Sequence, residues 1–343
     1  MNNIVYIDSL IPYNYIHKNW GFYLETTDYI KEINFNTAEE LFTALSPFGS
    51  YKEVLDGYVF RGESSQNYEL VPSALRVFNK EHLYNISGFG MPINNQSEWD
   101  MWQQRAELYA LKKFHDLADS RGINLPDVAI FRDNILSDHL SHTALSSINS
   151  WLPEELHEIA ALAQHFGIPT RLIDWSLNLY SSLYFATSGV VNKEPNEEND
   201  NLVLWALNYR EIEFSKETVN KYPFTFITPS YYRNENVLNQ KGVLTSWKYP
   251  QNLSNSLEFN LINRTPFNEL LANFVAASKI DLRRSDNSYT ILMYKFTLPT
   301  SEAIKLYDIL IKMGFGSESV YSGLDGVVKR MNEDANRKKF SDG

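Results

Sequence analysis

Gln164-His165-Phe166-Gly167-Ile168-Pro169-Thr170-Arg171-Leu172-Ile173-Asp174-Trp175-Ser176 is a run dense in polar groups and flanked by apolar residues. Some of the polar groups in such a run are expected to be buried, and those must find partners. Just upstream, residues 153–165 read as a helix. Pro153 opens it, Glu154 and Glu155 sit in its first turn, and Gly167 and Pro169 end it. Thr170 to Ser176 then reads as a strand, and Leu177 to Gly189 as an apolar helix containing Leu183-Tyr184-Phe185-Ala186. The run is therefore expected to be a strand held between two helices.

The same signals extend outward. Gly57-Tyr58-Val59-Phe60-Arg61-Gly62 reads as a short strand ending at a glycine. Thr37 to Leu45 reads as a helix with Asn36 or Thr37 as its N-cap and Glu39 and Glu40 in its first turn. Trp99, Trp102, Ala106, Tyr109, Leu111, Phe114 and Leu117 recur at helical spacing over 98–120, and Gly122 stops that helix. Asn201–Asn208 and Ile291–Leu298 read as strands, 222–248 as β-rich, and 301–314 as a helix closed by Gly314. The polar stretch Asn192–Asp200 reads as an exposed loop. Strands and helices mix without a βαβ rhythm, so the expected class is α+β. Residues 1–50 are expected to form a strand and helix extension on the core. Residues 331–343 are expected to form a basic tail, since Lys329 to Phe340 carries five Lys or Arg against two acids.

Composition narrows the chemistry. The chain has 343 residues, 31 Lys and Arg against 42 Asp and Glu, a net charge of -11 and no cysteine. Disulfides, thiolate metal sites and Cys nucleophiles are excluded. So acidic a chain does not grip nucleic acid through a global field; a local basic patch would be needed. Aromatics reach 14%, which fits either aromatic-lined grooves or core packing. The first twenty residues lack the pattern of a secretory signal and no stretch is long and apolar enough to span a membrane, so a cytoplasmic protein is expected. His139 and His142 are spaced i, i+3 without an obvious third ligand, and no metal site is expected. No phosphate-binding P-loop, dinucleotide glycine fingerprint or serine elbow is present.

Two segments carry candidate binding groups. Arg61, at a strand end beside Gly62 and Glu63, can present a planar cation to a phosphate or ribose, or serve in a structural ion pair. Glycine there lets a ligand approach the backbone. In the quoted run, Arg171 and Asp174 serve either a ligand or each other as an ion pair, with His165 then a core histidine.

Together with Arg233, Gln240, Gly242 and the Leu324-Asp325-Gly326 turn, these segments resemble the FRG domain family, over roughly residues 55–330. Phe60-Arg61-Gly62 matches the motif behind its name, and Gln164 to Trp175 matches its long middle motif. The family looks like a member of the ADP-ribosyltransferase fold. The resemblance therefore implies a split β-sheet core with a large helical insertion, about 72–165, between the first two core strands. It implies that NAD is the substrate, with Arg61, Ser176 and Gln240 catalytic. Arg61, Gly62, Glu63, His165, Thr170, Arg171, Asp174, Trp175 and Tyr180 would bind NAD, with Trp175 or Tyr180 as the nicotinamide wall. In that fold a third strand brings a Glu, where this chain has Gly242. Glu63, Asp174 and Glu235 are the candidate substitutes. The implied activity is ADP-ribosyl transfer to RNA, DNA or protein, in a toxin or phage-defence setting with an antitoxin or other controlling partner. A non-catalytic nucleotide- or protein-binding module and an NAD glycohydrolase are the alternatives.

Overall fold

The computed structural model describes residues 29–88, 90, 96–133, 150–193, 200–215, 222–229, 241–250, 262–278, 280, 282 and 289–338. Its strands are β1 (Ile30–Asn34), β2 (Tyr58–Glu63), β3 (Ser150–Trp151), β4 (Leu172–Ser176), β5 (Asn201–Asn208), β6 (Phe224–Ile227), β7 (Gly242–Trp247), β8 (Tyr249–Pro250) and β9 (Met293–Pro299). Seven of them form one mixed sheet in the order β1-β9-β5-β2-β4-β7-β6, and β3 pairs with β8. Only β1 and β9 run parallel; every other pair is antiparallel. This is the α+β class expected.

The sheet is buried on both faces. Leu202, Leu204 and Ala206 of β5 join a core with the helices Ala38–Ala44, Leu179–Val191 and Ala303–Lys312. Val203, Trp205 and Leu207 join another with the helix Phe267–Ser278. Period-two alternation sends neighbouring residues to opposite faces, and both faces are covered here, so β5 is apolar at successive positions. A third core lies among the helices between β2 and β4. The helices of that core are Gln96–Asp119, Ala129–Arg132 and His157–His165, while Lys80–Ser87 packs on Gln96–Asp119 in a smaller cluster with Leu83, Tyr84, Ala106 and Ala110.

The middle of the sheet is where β2 and β4 meet. β2 pairs with β5 at six positions but with β4 at one, Phe60 opposite Ser176. Beyond that point the two strands part, and the candidate site lies in the gap.

Local rules explain the elements around it. Thr37 caps its helix, its Oγ1 accepting from the Glu40 N–H at 3.2 Å. Asn178 caps Leu179–Val191, its Oδ1 accepting from the N–H groups of Tyr180 (3.0 Å) and Ser181 (3.3 Å). Gly167, at φ 87°, closes His157–His165 in the left-handed region.

Gly62 faces helix Leu179–Val191 rather than an open ligand path. A Cβ built there would lie 1.8 Å from the Ser182 carbonyl oxygen. Ser182, Ala186 and Gly189 are small at spacings of four and three, and this lets the helix backbone rest on the end of β2. Gly62→Ala is expected to destabilise the fold by about 1–3 kcal/mol through overpacking. A urea midpoint equal to wild type would contradict this packing.

Residues 331–338, the described part of the expected basic tail, continue a helix that begins at Gly323. Gly323–Lys338 is a helix whose Glu333 is fully buried and accepts from the hydroxyls of Tyr184 (2.7 Å), Tyr307 (2.9 Å) and Ser317 (3.1 Å). Burial first, then Glu333, push both tyrosine hydroxyls well above the ordinary phenol range. Arg330 pairs with Asp334 and Glu318, and Arg337 with Asp308, so two of the five basic side chains of the patch are held in ion pairs.

Candidate functional site

A hollow of about 410 Å³ opens where β2 ends and β4 begins. Arg61, Ser73, Arg76, Asn79, His82, Gln164 and Asp174 supply its polar wall. Leu70, Val71, Pro72, Ile168, Pro169, Leu172 and Ile173 supply the apolar part. That volume falls within the usual range of small-molecule sites, roughly 300–1,000 Å³.

Arg61 spans the gap between the strands. Its Nε–H donates to Glu63 Oε1 at 2.6 Å, and Nη1 donates to the Asp174 carbonyl oxygen at 3.0 Å. The Asp174 carboxylate lies 3.6 Å from the same nitrogen. Burial works against the Arg61 cation, but Glu63 and Asp174 outweigh it and hold its pKa above the ordinary value. The guanidinium is thus fixed in one orientation.

The middle motif closes around this group. Gln164 Nε2 donates to Asp174 Oδ1, and Gln164 Oε1 accepts from the Thr170 hydroxyl. The Thr170 N–H donates to Ser73 Oγ at 3.0 Å, and the Ala74 N–H donates to the Thr170 carbonyl at 2.9 Å. A relay therefore runs from the loop after β2, through Thr170, Gln164 and Asp174, to Arg61 and Glu63. Residues about a hundred positions apart build one wall.

Other expected site residues lie elsewhere. Of those assigned a role from sequence, Arg61 and Asp174 line the hollow. Glu63 and Thr170 hold residues that line it. Ser176 lies opposite Phe60, so its side chain leaves the sheet on the face opposite to Arg61; its Oγ accepts from the Asn178 N–H at 2.9 Å. Trp175 is buried, donates through its indole to Thr245 Oγ1 at 2.9 Å and packs on Phe267. Tyr180 lies between Phe42 and Phe315 in the core over the other face. His165 is exposed, edge-on to Phe166, and is not a core histidine. Arg233, Glu235 and Gln240, with His139 and His142, lie outside the described residues. Gly242 opens β7 directly opposite Ser176.

Arg171 pairs with Glu107 rather than with Asp174. It is fully buried against Glu107 of the long helix, with Nε–Oε2 at 2.8 Å and Nη2–Oε1 at 3.0 Å. Gln103 (3.0 Å) and the Trp151 indole also donate to Glu107, and the Tyr249 ring lies 4.7 Å from the guanidinium carbon. This cluster ties β4 to the helical layer.

Sequence reading passed over Arg76, Asn79 and His82. Pro72-Ser73-Ala74-Leu75-Arg76 reads from its residues as the start of a turn or helix, but a single arginine there carries no spacing signature. Among the described residues no group of three His, Asp or Glu side chains is placed to hold a metal ion. No helix among them is long and apolar enough to cross a membrane.

An arginine fixed across a parted sheet, joined to a Gln–Thr–Asp relay, thus forms one wall of the hollow in this α+β fold. Residues 56–195 of this 343-residue chain match the family model of the FRG domain. The match takes in Arg61, Arg76 and the whole relay, and ends before the segments around Gln240 and Leu324. No curated protein matches the chain, and no solved structure does.

Proposed function

We propose that the hollow binds NAD and that the domain transfers ADP-ribose from it to a macromolecular acceptor. The observation that carries this reading is Asp174. Among the described residues it is the one carboxylate in the wall of the hollow, and its side chain is 61% exposed. Gln164 holds one carboxylate oxygen, and the Arg61 cation lies beside the other. A fixed negative charge of this kind stabilises the positive charge that develops on a sugar carbon as its bond to nicotinamide breaks. Asp174 thus takes the part expected of the third-strand Glu, where this chain has Gly242. Glu63 is less suited, since its carboxylate is committed to Arg61 and only 12% exposed.

The donors fit a phosphate-bearing ligand. The wall brings two arginines, Arg61 and Arg76, together in a chain of net charge -11, with Glu63 behind it offsetting Arg61. The setting of a toxin or defence effector under a controlling partner belongs to this proposal.

A second reading is a nucleotide-binding module without chemistry. The placement of Ser176, Trp175 and Tyr180 away from the hollow favours it. Incubation with NAD labelled in its adenosine moiety, with nicotinamide assayed, separates the readings. Released nicotinamide with label on protein or nucleic acid supports transfer. Free ADP-ribose alone assigns a glycohydrolase, and NAD left intact under all acceptors overturns the enzymatic reading.

A further inference from the structure

Arg76 lines the hollow and makes no ion pair within 4.0 Å among the described residues. Its Nε–H donates to the Val71 carbonyl oxygen at 3.0 Å, which fixes the plane of the guanidinium. Its two terminal nitrogens have no hydrogen-bond partner among the described residues. Across the same hollow lies Arg61, held by Glu63 and the Asp174 carbonyl. Burial, and then the Arg61 cation, lower the Arg76 pKa, so the two guanidinium groups feel each other's charge. Two like charges facing one space repel, Glu63 and Asp174 offset part of this, and an anion between the two guanidinium groups would be attracted by both. Asn79 anchors the segment, donating through Nδ2 to the Ser73 carbonyl at 3.0 Å, and His82 adds a further ring to the same wall.

We propose that Arg76 and Arg61 form a diphosphate-binding pair, and that the hollow selects nucleoside diphosphates over the uncharged nucleoside. The inference rests on the reading above for the place of the site and the choice of nucleotide, and needs none of its chemistry. Guanidinium groups suit this task because their planar forks match phosphate oxygens two at a time. The division of labour is asymmetric. Arg61 is committed to protein acceptors through Nε and Nη1, so Arg76 brings the larger share of open donors. Lysine at 76 would keep the charge but lose the fork.

The test is calorimetric titration of the full chain with ADP, with adenosine and with inorganic pyrophosphate. Wild type is expected to bind ADP at least tenfold more tightly than adenosine, and to bind pyrophosphate measurably. Arg76→Ala is expected to weaken ADP by about 10- to 100-fold, the worth of charge-assisted hydrogen bonds, and to leave adenosine unchanged. Arg76→Lys should fall between them. ADP and adenosine bound alike by wild type would overturn the proposal. So would an Arg76→Ala protein that melts as wild type and binds ADP as wild type. If Arg76→Ala does not fold, the wild-type comparison of ADP with adenosine and the Arg76→Lys titration still decide. ADP binding that depends on Arg76, without nicotinamide release, would sink the transferase and leave this pair standing. Nicotinamide release without ADP selectivity would do the reverse.

Discussion

Glu107→Ala is expected to lower stability by about 3–5 kcal/mol, the usual effect of removing one partner from a buried ion pair. The carboxylate satisfies three side chains at once, those of Arg171, Gln103 and Trp151. Its loss leaves the Arg171 cation in the interior without a counter-charge, and the indole N–H without an acceptor. Total stability of a domain is typically about 5–15 kcal/mol, so the variant should sit near its unfolding threshold. Denaturant unfolding followed by tryptophan fluorescence measures it directly, because Trp151 is in the cluster. The double variant Glu107→Leu, Arg171→Met should recover much of the loss, since apolar residues of similar volume replace buried ion pairs at little cost. A Glu107→Ala protein with the wild-type midpoint would show that the cluster holds nothing together.

Asp174→Asn is expected to reduce nicotinamide release about 100-fold or more, in line with removal of a single preorganised group that meets transition-state charge. Asparagine keeps the size of the side chain, and its carbonyl oxygen still accepts from Gln164. The wall therefore stays in place while its charge disappears. The loss should fall on kcat, with ADP affinity held or improved, because a repulsive charge near the phosphates has gone. Unaltered turnover in Asp174→Asn would remove Asp174 from the chemistry and leave the sugar carbon without its proposed charge partner. A loss confined to KM would assign Asp174 to binding alone.

Much of this architecture could be read locally. The helix ahead of the middle motif ends at Gly167 because a left-handed position follows its last turn. The helix after it starts at Asn178 because a short amide side chain caps two N–H groups. Thr37 and Gly314 gave boundaries for the same kind of reason. Partners distant in sequence were another matter. Asp174 was the nearest opposite charge to Arg171 along the chain, yet the fold supplies Glu107, 64 residues upstream. Gly62 looked like room for a ligand, and the room is filled by a helix whose small residues only show their purpose once it is docked. Ser176 was placed correctly on the strand beside Arg61, but the register that puts it opposite Phe60 sends it through the sheet. Arg76 was invisible for a simpler reason. Nothing in its neighbourhood of the chain announces that another guanidinium will face it.

The order of strands also bears on how the family unit is to be handled. β2 and β4 lie inside the matched span, but each leans on a strand from outside it: β5 beside β2, and β7 beside β4. β1 comes from before the span and lies along β9, from its far side. An excised piece covering 56–195 would carry every residue of the Arg61 relay and the Arg76 arm, yet expose two bare ladder edges and the undersides of two cores, an invitation to self-association. The recognisable portion is thus smaller than the cooperative one, and expression boundaries should follow the sheet rather than the motif.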